Sequence, residues 1–164
     1  MTTVSAVFKT RSQAEEALHQ LDKAGFTHER VSFVMSEQTR DNYVKEIKDG
    51  NKADEGIAVG ATLTGLVGAV AGMLLAAGAI AIPGLNLIVT GALVSSLAGL
   101  GTGALAGGIV GGLIGAGIPE HEAKLYADEI ERGNFLVSVQ AADKAEETTI
   151  REIFSQNSAD RIAA

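Results

Sequence analysis

The residues that could do chemistry in this chain are few and scattered. His121-Glu122 opens like the H-E-x-x-H helix of zinc proteases, but Leu125 stands where the second histidine is needed. His19, His28 and His121 lie apart on polar segments, so no Ser/His/Asp relay follows from their spacing. Gly101, Gly103 and Ala106 fit the dinucleotide pattern G-x-G-x-x-A, with Glu120 about 20 residues on, yet no strand signal precedes them. The carboxylates Asp128, Glu129 and Glu131 read as one solvated helix face. With no cysteine, disulfides, thiolate catalysis and Cys-ligated zinc are excluded. The sequence therefore predicts a non-enzymatic protein with no cofactor, no metal and no small-molecule substrate.

Charge shows how the chain is organised. The 64 residues from Gly56 to Pro119 contain no Asp, Glu, Lys, Arg or His, whereas all 13 basic and 20 acidic residues lie outside them. Residues 1–55 hold 8 basic and 10 acidic side chains, and 120–164 hold 5 and 10, giving −2 and −5 of the net −7. An acidic polar part argues against nucleic acid, because phosphate contacts need clustered Lys and Arg. The opening Met-Thr-Thr-Val-Ser lacks a basic region followed by an apolar one, so no secretory signal is expected and the polar part is placed in the cytoplasm.

Within the uncharged run small residues recur every fourth position, as Gly56, Gly60, Thr64, Gly68, Gly72 and Ala76, then as Gly91, Ser95, Gly99, Gly103, Gly107, Gly111 and Gly115. On helices this spacing carves a groove that lets two backbones approach closely. The pattern predicts a helical hairpin over 56–118, with arms near 56–81 and 87–117 and a turn at Pro83-Gly84. Arms of that length would measure about 39 and 46 Å, more than the ~30 Å hydrocarbon core of a bilayer. In water each helical glycine costs about 0.5–1 kcal/mol relative to alanine. Because 18 of the 20 glycines lie in or beside the run, lipid or tight self-packing must hold it. The expected packing residues are Gly56, Gly60, Gly68, Gly72, Gly91, Gly99, Gly103, Gly107, Gly111 and Gly115.

Around the run, the rest of the chain reads as a small α+β domain in two parts, 1–55 and 119–164. Residues 3–9, 30–36 and 134–140 alternate as half-buried strands. Thr10 and Gln13 form a capping box before a helix striped by Ala14, Ala17, Leu18, Leu21 and Ala24, which Gly25 ends. A solvated helix is expected over 38–49, another after Pro119 until Gly133, and a last one from Asp143 through Ile150, Ile153 and Phe154, fraying from about Ser155. The order is β-α-β…α-β-α, and the repeated helix–Gly–aromatic–strand pattern suggests a ferredoxin-like domain interrupted by the hairpin.

The strand and helix from Val4 to Phe26, the glycine ladder, and Ile118-Pro-Glu-His-Glu-Ala-Lys-Leu-Tyr126 leading through Glu131-Arg-Gly133 into Phe135–Val139 resemble bacterial general stress proteins of the heat-induced or low-temperature-induced kind. The resemblance implies a stress association and no established activity. Taken together, these features predict a homo-oligomer assembled through the hairpin in or on a membrane, its partners being its own copies and lipid. Arg40, Lys45, Lys48 and Lys52 before the run and Lys124 and Arg132 after it fit a hairpin with both ends cytoplasmic. Two alternatives remain from the sequence: a soluble oligomer or filament with a protein-only hairpin core, and an αβ domain that senses a ligand.

Overall fold

The computed structural model describes residues 2–27, 29–49, 80–82, 87–91, 93, 107–115 and 117–163. Its strands are β1 (Thr2–Phe8), β2 (Val31–Ser36), β3 (Ile80–Ile82), β4 (Leu87–Gly91), β5 (Phe135–Ala141) and β6 (Asp160–Ala163). Its helices are α1 (Arg11–Lys23), α2 (Glu37–Asp49), α3 (Gly108–Gly115), α4 (Glu120–Glu131) and α5 (Lys144–Gln156). The strands form one antiparallel sheet in the order β3-β4-β2-β5-β1-β6. The chain is thus α+β, with an antiparallel sheet.

Both faces of the sheet are covered. On one, Val4, Ala6, Phe8, Phe33, Val137 and Val139 meet Ala14, Leu18 and Leu21 of α1 and Ile150 and Phe154 of α5. On the other, Val7, Val34, Val89 and Leu136 meet Leu113 of α3 and Ala123, Tyr126 and Ile130 of α4. The half-buried strands expected from the alternation are therefore buried on both sides: residues 4–8, 31–35 and 135–139 are all buried. Ser5, Ser32 and Ser138 occupy the face the alternation assigned to solvent. Central strands clad by helices on both faces lose the polar side that an exposed sheet would keep.

The uncharged run is divided differently from the expected pair of long helical arms. Ile80–Ile82 and Leu87–Gly91 are strands, paired antiparallel from Ile82↔Leu87 to Ile80↔Val89, and β4 joins the free side of β2. Ile80, Ile82, Ile88, Val89 and Thr90 give these stretches the β-branched density that the glycine-rich remainder lacks, and tertiary pairing with β2 does the rest. The expected turn residues Pro83 and Gly84 lie outside the described residues. Further on, α3 packs against α4 within the same chain.

The chain's ends of regular structure follow its sequence signals closely. Thr10 Oγ1 accepts from the Gln13 N–H while Gln13 Oε1 accepts from the Thr10 N–H, closing the capping box. At the start of α5, Asp143 accepts from the Glu146 N–H, but the Glu146 carboxylate turns to the Ala142 N–H and Arg30 instead. The segment expected to fray holds the last turn of α5 and then β6, an edge strand against β1.

Candidate functional site

Of the residues expected to pack helices together, Gly56, Gly60, Gly68, Gly72, Gly99 and Gly103 lie outside the described residues. Gly91 does not sit in a helix. It ends β4 at φ +78°, and a Cβ placed on it would stand 1.8 Å from the Val31 carbonyl oxygen. Here glycine serves the sheet: the β4 backbone crosses Val31 and Ser32 too closely for any side chain. Gly107 precedes α3, its carbonyl accepting from the Gly111 N–H at 3.0 Å, and a Cβ on Gly107 would lie 2.7 Å from Gly111 Cα. Glycine at 107 therefore has a cause inside one chain. Gly111 is half-buried in α3, and Gly115 at its end is exposed.

The helix α3 carries no polar side chain, being Gly-Ile-Val-Gly-Gly-Leu-Ile-Gly. Gly112 and Leu113 face the core, Ile109 and Val110 are half-buried against it, and Ile114 is 42% exposed. Leu125 on α4 is the other large apolar side chain open to solvent among the described residues, at 40%. The end of the uncharged run thus leaves apolar surface outside while its inner side anchors in the domain through Leu93, Leu113 and Ile118.

Beneath α3 and α4 lies a buried row of hydroxyls. Ser5, Ser138 and Ser32 stand in register across β1, β5 and β2, and Gly91 continues the row in β4. The Ser5 and Ser138 hydroxyls are 2.9 Å apart, and Ser32 Oγ accepts from the Leu93 N–H at 2.9 Å. Tyr126 lies 3.2 Å from both the Ser5 and the Arg161 carbonyl oxygens, its single O–H donating to them. Burial, with help from the Glu122 charge, pushes the Tyr126 hydroxyl well above the ordinary tyrosine range, so it stays a neutral donor. Among the described residues, the hydrogen bonds of these serine hydroxyls run to one another and to the Leu93 N–H. The row's small side chains leave room for Tyr126 to reach the β1 backbone.

The remaining chemical candidates resolve as surface and support. His121 is exposed, its Nε2 3.5 Å from Glu122. Glu129 is buried rather than part of a solvated face, bonded to Arg132 Nη1 at 2.9 Å and Asn134 Nδ2 at 2.5 Å at the end of α4, while Asp128 and Glu131 are exposed. Arg30 ties β2 to β5 and α5, donating to the Gln140 carbonyl and the Glu146 carboxylate and lying 5.4 Å from the Phe26 ring centroid. Each holds the other's charged form, raising the Arg30 pKa and holding the Glu146 carboxyl below its usual range. No group of three or more candidate metal ligands occurs among the described residues, and no helix among them is long and apolar enough to cross a membrane. The residues 101–106 that fit the dinucleotide pattern lie outside the described set. In comparisons with known proteins, no family model, no curated protein and no solved structure matches this chain.

Proposed function

We propose that this is a non-catalytic, self-associating protein whose copies meet through the glycine-rich parts of the uncharged run, with the αβ domain as the platform that presents them. The single observation carrying this reading is the run itself: 64 uncharged residues with small side chains every fourth position over 56–76 and 91–115, anchored at several points to one charged domain. The order β2-β5-β1-β6, with α1 and α5 on one face, supports reading that domain as ferredoxin-like, with the run inserted between β2 and β5. Resemblance to general stress proteins supplies the physiological setting we assign to it.

Contact with lipid, on this reading, is at a membrane surface and not across it. Thirty residues separate Asp49 of α2 from Ile80 of β3, and α2 packs on β2 and β4 of the sheet that β3 extends. A segment that leaves and re-enters one domain has about half its length for each leg, so about 15 residues or ~22 Å as helix, short of the ~30 Å needed to cross. The 13 residues between Leu93 and Gly107 reach less far.

High-speed centrifugation of cell extract tests this. The proposal expects particles larger than one chain, with any membrane-bound fraction released by salt or mild alkali. Retention that only detergent reverses would overturn the peripheral placement, and a single-chain mass in all fractions would overturn self-association.

A further inference from the structure

The helices α1, α3, α4 and α5 all stop with the same pair of backbone hydrogen bonds. Phe26 N–H reaches the Leu21 carbonyl, Ile118 reaches Leu113, Asn134 reaches Glu129, and Ala159 reaches Phe154, each preceded by the shorter bond of the same motif. The motif places one residue in the left-handed region, where a Cβ is unfavourable. Three of the four use glycine there: Gly25 at φ +89°, Gly117 at +91° and Gly133 at +94°. The fourth, between α5 and β6, uses Ser158 at +57°. Three residues later Arg161 is also left-handed, at +52°, where the β1–β6 register slips between Ser5↔Ala163 and Val7↔Asp160. A bulge of that kind likewise favours glycine.

What holds β6 down is modest by comparison. It pairs with β1 at only those two positions. Its side chains Asp160, Ile162 and Ala163 are no more than half-buried, and the Lys9–Asp160 ion pair at 3.0 Å is exposed. Asn157, in contrast, is buried and fixed, donating to Gln20 and the Ile153 carbonyl. The chain is therefore firm up to Asn157 and strained just after it. What β6 covers cannot be left bare, because β1 is buried and Tyr126 Oη spends its proton at the β1–β6 junction. The strand best shaped to take that place is another β6, since it restores every one of these contacts.

We propose that β6 is an exchangeable strand, leaving its own β1 to complete the sheet of a second copy, with Ser158 as the hinge that straightens. Short strained hinges favour such exchange, and an exchanged strand needs no new interface. This association is separate from that of the glycine-rich run and stands on different residues.

The chain has no cysteine, so an introduced pair reports the pairing directly. In the full-length Ser5→Cys/Ala163→Cys double variant, mild oxidation after equilibration at high concentration gives a disulfide within one chain for closed copies and between two chains for exchanged ones. Denaturing, non-reducing electrophoresis separates the two whatever the native particle size, so the result is independent of the glycine-rich run. The proposal expects a linked dimer that grows with concentration. Adding Ser158→Gly relieves the closed turn and lowers the dimer fraction about fivefold. Adding Ser158→Pro forbids the positive φ and raises it. Only intrachain disulfide at every concentration in the otherwise wild-type and Ser158→Gly backgrounds overturns the proposal, and so does a dimer fraction that Ser158→Gly leaves unchanged.

Discussion

Gly91 and Val31 meet backbone to backbone, so closely that a Cβ on Gly91 would stand 1.8 Å from the Val31 carbonyl oxygen. This contact separates two uses of glycine in one uncharged run. Gly91 closes the β4–β2 ladder, with Ser32 then taking the Leu93 N–H. Gly91→Ala adds a backbone clash to a left-handed φ and is expected to cost about 2–4 kcal/mol of folding stability. Urea unfolding followed by circular dichroism measures it. A loss below about 0.5 kcal/mol would mean that β4 does not cross β2 as described.

Tyr126 is buried at 1% exposure under the junction of β1 and β6. Tyr126→Phe removes its donor to two carbonyls and is expected to lower stability by about 1 kcal/mol. The pH dependence has a definite sign. Burial raises the folded-state pKa of the hydroxyl above its unfolded value, so its contribution is complete below about pH 10 and is lost as pH rises above that. In a Tyr43→Phe background, phenolate absorbance near 295 nm should stay absent until the chain unfolds in alkali. A normal phenol titration in the folded chain would contradict the packing.

At the acidic end the sign reverses. Hydrogen bonds from Arg30 and the Ala142 N–H hold the Glu146 carboxyl below its usual range, and the Lys9 ammonium does the same to Asp160. Their stabilisation is present above the ordinary carboxylate range and is lost as pH falls through the folded-state values. Arg30→Met and Lys9→Met should each flatten the fall in thermal midpoint between about pH 5 and 2. Both carboxylates are only half-buried, so the effect is modest and salt reduces it. An unchanged acid limb in Arg30→Met would show that the pair does not couple β2 to α5.

Much of the domain is legible in local patterns. The Thr10–Gln13 box, Gly25, Pro119 and Gly133 mark element ends by short-range chemistry, and they mark them correctly. The failures are long-range. Ser5, Ser32 and Ser138 read as solvent-facing because alternation within a strand cannot reveal a second helical layer supplied by other elements, and Glu129 reads as solvated because its partners lie just beyond the helix. Residues 80–81 and 87–91 read as helix because they adjoin the two glycine ladders, with the turn expected between them at Pro83-Gly84. Their Ile, Val and Thr content was a competing signal, and β2 decided it by offering a free edge. Of the expected packing glycines, Gly91 and Gly107 gain intrachain explanations, which makes Gly107 a poor probe of assembly and leaves Gly99 and Gly103 as the informative positions.

The most direct test is the solution mass of the full chain and of its Gly103→Leu variant, by analytical ultracentrifugation without detergent. On the proposed reading, a bulky side chain at this position blocks the close approach of helices between copies. The account predicts a multi-chain particle for the wild type, and for Gly103→Leu a clear fall in mass with an unchanged thermal midpoint. A variant particle of wild-type mass, or a wild type that sediments as one chain, would contradict it.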